Sequence, residues 1–95
     1  MIKIEWTKKA LREFDLVYNF WMDHNKSNRY SEKILDETLR KINVLQDNPK
    51  AAEEYTVLGL RRIVILENFS ITYKSGKNKI QIISFFDNRR NQNEI

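Results

Sequence analysis

The spacing of hydrophobic residues along the chain changes from a helical period to a strand period. Before the helical part, residues 2–6 alternate strictly as Ile-Lys-Ile-Glu-Trp, which predicts a short, half-buried strand. Thr7 then stands as a helix N-cap, and apolar residues recur at helical spacing as far as His24. We therefore predict a first helix over residues 8–24. Leu16 and Phe20 widen its apolar stripe, so we expect this helix to pack against both a sheet and a second helix.

A second helix is predicted from Asn28 or Arg29 to Asp47, after a polar break in the pattern. Its apolar side comprises Tyr30, Ile34, Leu35, Thr38, Ile42 and Leu45. Pro49 disfavours helical backbone at Asn48, which ends the helix there or just before. Because roughly four residues separate the two helices, they are expected to form an antiparallel hairpin.

After Gly59 the period becomes two, which is typical of strands. Three runs rich in Ile, Val, Phe and Tyr follow, at Arg61–Leu66, Asn68–Lys74 and Lys79–Phe86, and Glu54–Leu58 is a candidate fourth segment at the edge. Turn-forming residues separate the runs. The order predicts one α+β domain over residues 1–95. It consists of an N-terminal strand, an antiparallel two-helix hairpin and a C-terminal antiparallel meander of three strands, or four with the edge segment. All strands form one sheet, and the hairpin packs on one of its faces.

Composition narrows the class of protein. The chain has 95 residues, one His and no Cys, so a disulfide framework and thiolate chemistry are excluded. No apolar run approaches the ~20 residues of a membrane span, and no signal-peptide pattern is present at the N-terminus. We expect a cytoplasmic protein without membrane association.

The net charge of +4 is concentrated in one half of the chain. Residues 1–58 contain ten basic and ten acidic side chains, whereas residues 59–95 contain seven basic and three acidic ones. Such asymmetry predicts an anionic partner for the strand-rich half, either nucleic acid or an acidic protein segment.

Candidate chemistry rests on basic residues of the strands. There is no Gly-rich phosphate loop and no pair of His residues at metal-ligand spacing, so no cofactor and no metal are expected; the lone His24 is expected to interact with a helix C-terminus. Arg61 and Arg62 open the first meander strand on opposite faces. We predict that they converge with a second pair after the last strand, together with Lys74 or Lys79, on one rim suited to phosphate or carboxylate. The second pair is Arg89 and Arg90, and for Arg89 an ion pair with Asp87 is the alternative role.

Several local motifs, in order and spacing, resemble the RelE/ParE superfamily of toxins from type II toxin–antitoxin modules. They are the segments Ile4-Glu5-Trp6-Thr7-Lys8-Lys9-Ala10, Leu45-Gln46-Asp47-Asn48-Pro49, Leu60-Arg61-Arg62-Ile63-Val64, Asn68-Phe69-Ser70-Ile71-Thr72-Tyr73 and Ile82-Ile83-Ser84-Phe85-Phe86-Asp87-Asn88-Arg89-Arg90-Asn91. The resemblance covers nearly the whole chain. It implies a growth-inhibiting protein of a plasmid- or genome-stabilisation module, neutralised by a cognate acidic antitoxin.

The resemblance leaves the target open between two branches. ParE-like members inhibit DNA gyrase, whereas RelE-like members are ribosome-dependent mRNA endoribonucleases. A further alternative is an inactive member that only binds its antitoxin or nucleic acid. The target-binding residues implied are Arg61, Arg62, Lys79, Arg89 and Arg90. For a nuclease, the resemblance implies catalytic residues among Arg62, Tyr73, Lys74, Arg89 and Arg90.

Two departures from the nuclease pattern favour the ParE-like interpretation. Ser70 stands where the nuclease pattern commonly has an Arg, and no Tyr or His follows Arg90. Because an Arg with a pKa above ~12 is a poor general base, proton transfer falls to Tyr73, Lys74 or Asp87. The hydroxyl of Tyr73 is expected to reach the rim.

Overall fold

The computed structural model describes residues 2–50 and 59–89, and in that part of the chain the predicted order of elements is confirmed. The elements are β1 (Lys3–Trp6), α1 (Lys8–Asn25), α2 (Arg29–Asp47), β2 (Leu60–Ile65), β3 (Phe69–Gly76) and β4 (Lys79–Asp87). The predicted edge segment Glu54–Leu58 lies outside the described residues. Neither helix in the described ranges combines the length and apolarity needed to cross a membrane.

Local capping explains where the first helix begins and ends. The hydroxyl of Thr7 accepts a hydrogen bond from the Ala10 N–H at 3.1 Å, as predicted for an N-cap. Lys26 ends the helix in a left-handed conformation with φ 55°, and its N–H bonds back to the last turn. The chain then turns directly into α2, which gives the expected antiparallel hairpin.

The strands form one mixed sheet in the order β1-β4-β3-β2. The three C-terminal strands are an antiparallel meander, and β1 joins its β4 edge in parallel, with Lys3 opposite Lys79. The helical hairpin covers one face of this sheet. Its buried side chains pack there on a core contributed by β2, β3 and β4: Ile65, Phe69, Ile71, Tyr73, Ile80, Ile82 and Phe85. We call the opposite face, on which neither described helix packs, the open face.

One sequence expectation about the first helix is wrong. Leu16 and Phe20 do not extend the buried stripe, because their side chains are 61% and 37% exposed. The helix buries Ala10 and Val17 instead, with Phe14 and Trp21 packed against the core. A single stripe is therefore enough to contact both the sheet and the second helix.

A β-bulge in β4 sets which side chains face the helices. Thr72 pairs with Ser84 but Tyr73 pairs with Ile82, so Ile83 is an extra residue. Two side chains at the start of α1 form hydrogen bonds with the bulge. The Thr7 hydroxyl donates to the Ile83 carbonyl at 3.3 Å, and a Glu13 carboxylate oxygen accepts from the Phe85 N–H at 3.1 Å. After the bulge the alternation is reversed, so that Phe85 and Asp87 face the hairpin.

Candidate binding surface on the open sheet face

The strand directions place Arg61 and Arg62 toward one end of the sheet and Arg89 toward the other. The sequence predicts that both arginine pairs lie on one rim. Both β2 and β4 are antiparallel to β3, so they run in the same direction, and the start of one cannot lie beside the end of the other. The register makes this concrete, since Arg61 is opposite Tyr73 whereas Asp87 is opposite Phe69, four residues away along β3. The predicted single rim is therefore wrong for Arg61, Arg62 and Arg89. Arg90 lies outside the described residues.

The register also decides which arginine of the first pair faces which side. Arg61 is opposite Tyr73, a core residue, and so belongs to the face that carries the hairpin, where it is half-buried. Arg62 is opposite Thr72 and is exposed on the open face. Of this pair, only Arg62 lies on the open face.

Four cationic side chains form a line across the open face, which we call the cationic diagonal. In spatial order they are Arg62, Lys74, Lys79 and Lys3. Lys74 is opposite both Leu60 and Gln81, which makes it a diagonal neighbour of Arg62 on one side and of Lys79 on the other. Diagonal neighbours in antiparallel strands lie about 7–8 Å apart. Lys3 continues the line, because it is opposite Lys79 in β1.

Among the described residues, one acidic side chain interrupts this line of cations. Glu5 accepts a hydrogen bond from the Gln81 side chain at 3.0 Å, and its carboxylate lies 3.8 Å from the Lys79 Nζ. Both side chains of that ion pair are more than 40% exposed, so water screens it and the pair is weak. Lys74 and Arg62 lie farther along the diagonal than this ion pair.

Tyr73 does not reach the surface. Its side chain is fully buried, and its hydroxyl donates to the Pro49 carbonyl at 3.0 Å on the hairpin side of the sheet. Ser70, at the position where an Arg was expected, is 4% exposed and exchanges hydrogen bonds with the Asn88 side chain at 2.9 and 3.2 Å. Of the residues proposed for proton transfer, Lys74 is exposed, whereas Tyr73 and Asp87 are buried.

Arg89 is held by the protein itself. Its guanidinium lies 4.4 Å from the centre of the Trp21 ring, 5.1 Å from that of Phe69 and 5.5 Å from that of Tyr30. It donates to the Tyr30 hydroxyl at 2.8 Å and contacts the Asp87 carboxylate at 3.4 Å. The alternative role that the sequence indicated for Arg89, an ion pair with Asp87, is therefore present.

Two hydrogen bonds to carboxylates that shift a pKa lie on the helical hairpin rather than on the sheet. The hydrogen bond from the Tyr18 hydroxyl to the Glu32 carboxylate, with burial and the carboxylate's charge, raises the pKa of Tyr18. A hydrogen bond from Arg40 lowers the pKa of Glu37, although burial opposes that shift. His24 stacks on Phe20, with ring centres 5.7 Å apart, and meets the edge of Trp21.

Sequence reasoning missed two sets of residues that the structure brings together. Lys3 joins the cationic diagonal because β1 pairs with β4, a neighbourhood that the alternation of residues 2–6 does not encode. The ring of Trp21, Tyr30 and Phe69 around Arg89 comes from three elements, and each member on its own reads as an ordinary core aromatic. No local sequence signal would have found the second set.

The fold is similar to those of solved toxin–antitoxin proteins, as the motifs indicated. The chain resembles a structure described as the chromosomal ParDE toxin–antitoxin system from Pseudomonas aeruginosa, with TM-score 0.76 and 22% identity over 92% of this chain and 96% of that one. A YoeB/ParE toxin from Agrobacterium tumefaciens aligns with TM-score 0.68 and 17% identity over 90% and 98% of the two chains.

A conserved hypothetical protein from Helicobacter pylori is more distant, with TM-score 0.52 and 12% identity over 95% of this chain and 98% of that one. No protein-family model matches the sequence, and no curated protein matches it. At these identities the likeness concerns the fold, so residue roles rest on the geometry described above.

Proposed function

We propose that this protein is the toxin of a type II toxin–antitoxin module, a growth inhibitor that a cognate acidic antitoxin neutralises. The observation that carries the proposal is the cationic diagonal on the open face of a ParE-like fold, since four cations in line suit an extended anionic partner. Target and antitoxin tail then compete for the same surface. Such a module acts in the cytoplasm and stabilises the plasmid or genome region that encodes it.

For the target, we favour a ParE-like inhibitor of DNA gyrase that acts by binding. RNA cleavage by attack of the 2′-hydroxyl needs a base, an acid and stabilisation of the phosphorane. The Tyr73 hydroxyl is committed to the Pro49 carbonyl, and Arg89 is engaged with Asp87 and Tyr30. Binding through the open face requires none of these groups.

A ribosome-dependent mRNA endoribonuclease is the second candidate, and one observation favours it. Lys74 and Arg62 are diagonal neighbours on the open face, which brings an amine suited to proton transfer close to a guanidinium suited to phosphate. Mapping of mRNA ends on translating ribosomes after induction separates the two candidates. Codon-phased ends exclude the gyrase mechanism, whereas gyrase-linked DNA breaks with an SOS response and without such ends exclude the nuclease.

The binding surface itself is tested by reversing charge on the open face. The double variant Arg62→Glu and Lys74→Glu should relieve growth inhibition in cells induced to the same level of folded protein. A matched control, Arg12→Glu with Lys33→Glu, makes the same change in net charge on exposed positions of the two helices and should remain toxic. Full toxicity of the open-face variant would refute this surface, and equal loss in both variants would indicate a general effect of net charge. If induction of the unaltered chain leaves growth unaffected, the proposal of a toxin fails.

A further inference from the structure

Arg89 occupies a built enclosure at the hairpin end of the molecule. We call the enclosure the Arg89 clasp, and its members are Trp21 from α1, Tyr30 from α2, Phe69 from β3 and Asp87 from β4. Side chains from four elements therefore meet on one guanidinium. The rings provide faces for cation–π contact, and Tyr30 and Asp87 provide acceptors for N–H groups.

Asp87 keeps good hydrogen bonds whether or not the guanidinium is present. Its side chain is 1% exposed, and one oxygen accepts from the Trp21 indole N–H at 2.9 Å. The other oxygen accepts from the backbone N–H of Arg89 at 3.0 Å, closer than the 3.4 Å to the guanidinium Nε. If the guanidinium departs, this buried carboxylate keeps one donor on each oxygen, so its hydrogen bonding is retained although its cationic partner moves away.

The guanidinium is accessible to solutes while it is in the clasp. The Arg89 side chain is 38% exposed. A guanidinium has five N–H donors, and within the described residues it uses two of them, toward Asp87 and Tyr30. An oxyanion that approaches from solution finds the remaining donors, and a phosphate or carboxylate can engage two of them at once.

We propose that the Arg89 clasp is an anion-gated contact between the helical hairpin and the end of the sheet. In the free protein the guanidinium holds the Asn88–Arg89 turn against Trp21 and Tyr30. A phosphate or carboxylate group binds the outer N–H edge and draws the guanidinium away from the rings, while Asp87 keeps Trp21 and the Arg89 backbone in place. The side chain thus has two arrangements, and the ligand class that selects the open one is an oxyanion. This inference does not depend on the proposed toxin activity.

The test is NMR spectroscopy of the full chain labelled with ¹⁵N and ¹³C, titrated with inorganic phosphate. The reference is sodium chloride at equal ionic strength. In the closed clasp, the aromatic rings shift the Arg89 δ-methylene protons upfield. We expect phosphate to move these protons toward the values of an exposed Arg and to shift the Arg89 Nε–H, while the Trp21 indole N–H keeps its hydrogen-bonded position.

Two variants define the end states. Arg89→Ala represents the open clasp and should leave the Trp21 indole N–H close to its position in the unaltered protein. Asp87→Asn removes the charged acceptor and should displace that resonance, and dispersed amide signals verify that both variants are folded. The proposal is overturned if sodium chloride reproduces the effect of phosphate, or if phosphate leaves the Arg89 signals unmoved. It is also overturned if Arg89→Ala displaces the Trp21 indole N–H as far as Asp87→Asn does.

Discussion

Removal of the Tyr73 hydroxyl separates a structural role from a catalytic one. In Tyr73→Phe the ring stays in the core, and the change deletes the hydrogen bond to the Pro49 carbonyl at 3.0 Å. A neutral hydrogen bond of this kind contributes about 0.5–1.5 kcal/mol, and the carbonyl of the half-buried Pro49, left without this donor, adds to the loss. We expect the free energy of unfolding to fall by about 1–2 kcal/mol. For a domain of this size that is roughly 5–15 °C in Tm.

Growth inhibition by the same variant should be unchanged, because the hydroxyl faces the hairpin side and is fully buried. If Tyr73 transferred a proton in RNA cleavage, its loss would reduce the rate by roughly 10²–10⁴-fold. The assay pairs thermal unfolding followed by circular dichroism with growth inhibition at 25 °C and matched levels of folded protein. Tyr18→Phe is the control, since it removes an exposed hydroxyl bonded to Glu32 on the helices. Loss of toxicity without loss of stability would show that the Tyr73 hydroxyl works at the surface, and our placement of it would be wrong.

Three further changes test the packing that supports the open face. Glu13→Ala should lower the free energy of unfolding in urea by about 1–3 kcal/mol, because the Phe85 N–H in the bulge loses its acceptor. Glu13→Gln keeps an acceptor there and should lower it less. Equal losses in the two variants would contradict this. Thr38→Val should raise Tm, with a gain of about 1 kcal/mol, because it removes a buried Oγ1 that has no hydrogen-bond partner among the described residues. Thr38→Ala leaves a cavity instead and should lower Tm. Glu67→Gly should stabilise the β2–β3 turn by about 0.5–1 kcal/mol in urea unfolding, because Glu67 has φ 67°; Glu67→Ala keeps a Cβ in that conformation and should give no gain.

Local physics explains why the elements could be predicted so closely from sequence. The N-cap at Thr7 and the Pro at position 49 act within a few residues, and the structure begins α1 at Lys8 and ends α2 at Asp47 accordingly. The change of period after Gly59 likewise depends only on neighbouring side chains. Strand ends differ from the prediction by one or two residues, where a turn competes with the last ladder pair.

What could not be predicted depends on contacts between distant elements. The bulge at Ile83 is bound by Thr7 and Glu13, which lie about 70 residues earlier in the chain, and it decides that Phe85 rather than Phe86 faces the hairpin. Tyr73 was expected at the rim because alternation alone does not tell which face is covered. Its burial follows from where the hairpin packs, which is a tertiary fact.

The basic residues of the C-terminal half lie in two separate places, because the first and third meander strands run in the same direction. In any meander of three strands, the first and third run the same way, so a basic pair that opens the first strand and another that follows the third lie toward opposite ends of the sheet. Here Arg62 at one end joins Lys74 on the open face, and Arg89 at the other end enters an aromatic enclosure. The first group is exposed on the open face, whereas the guanidinium of Arg89 packs within the fold. Charge reversal at Arg62 and Lys74 is therefore the more specific test of target binding, because reversal at Arg89 would disturb the hairpin as well.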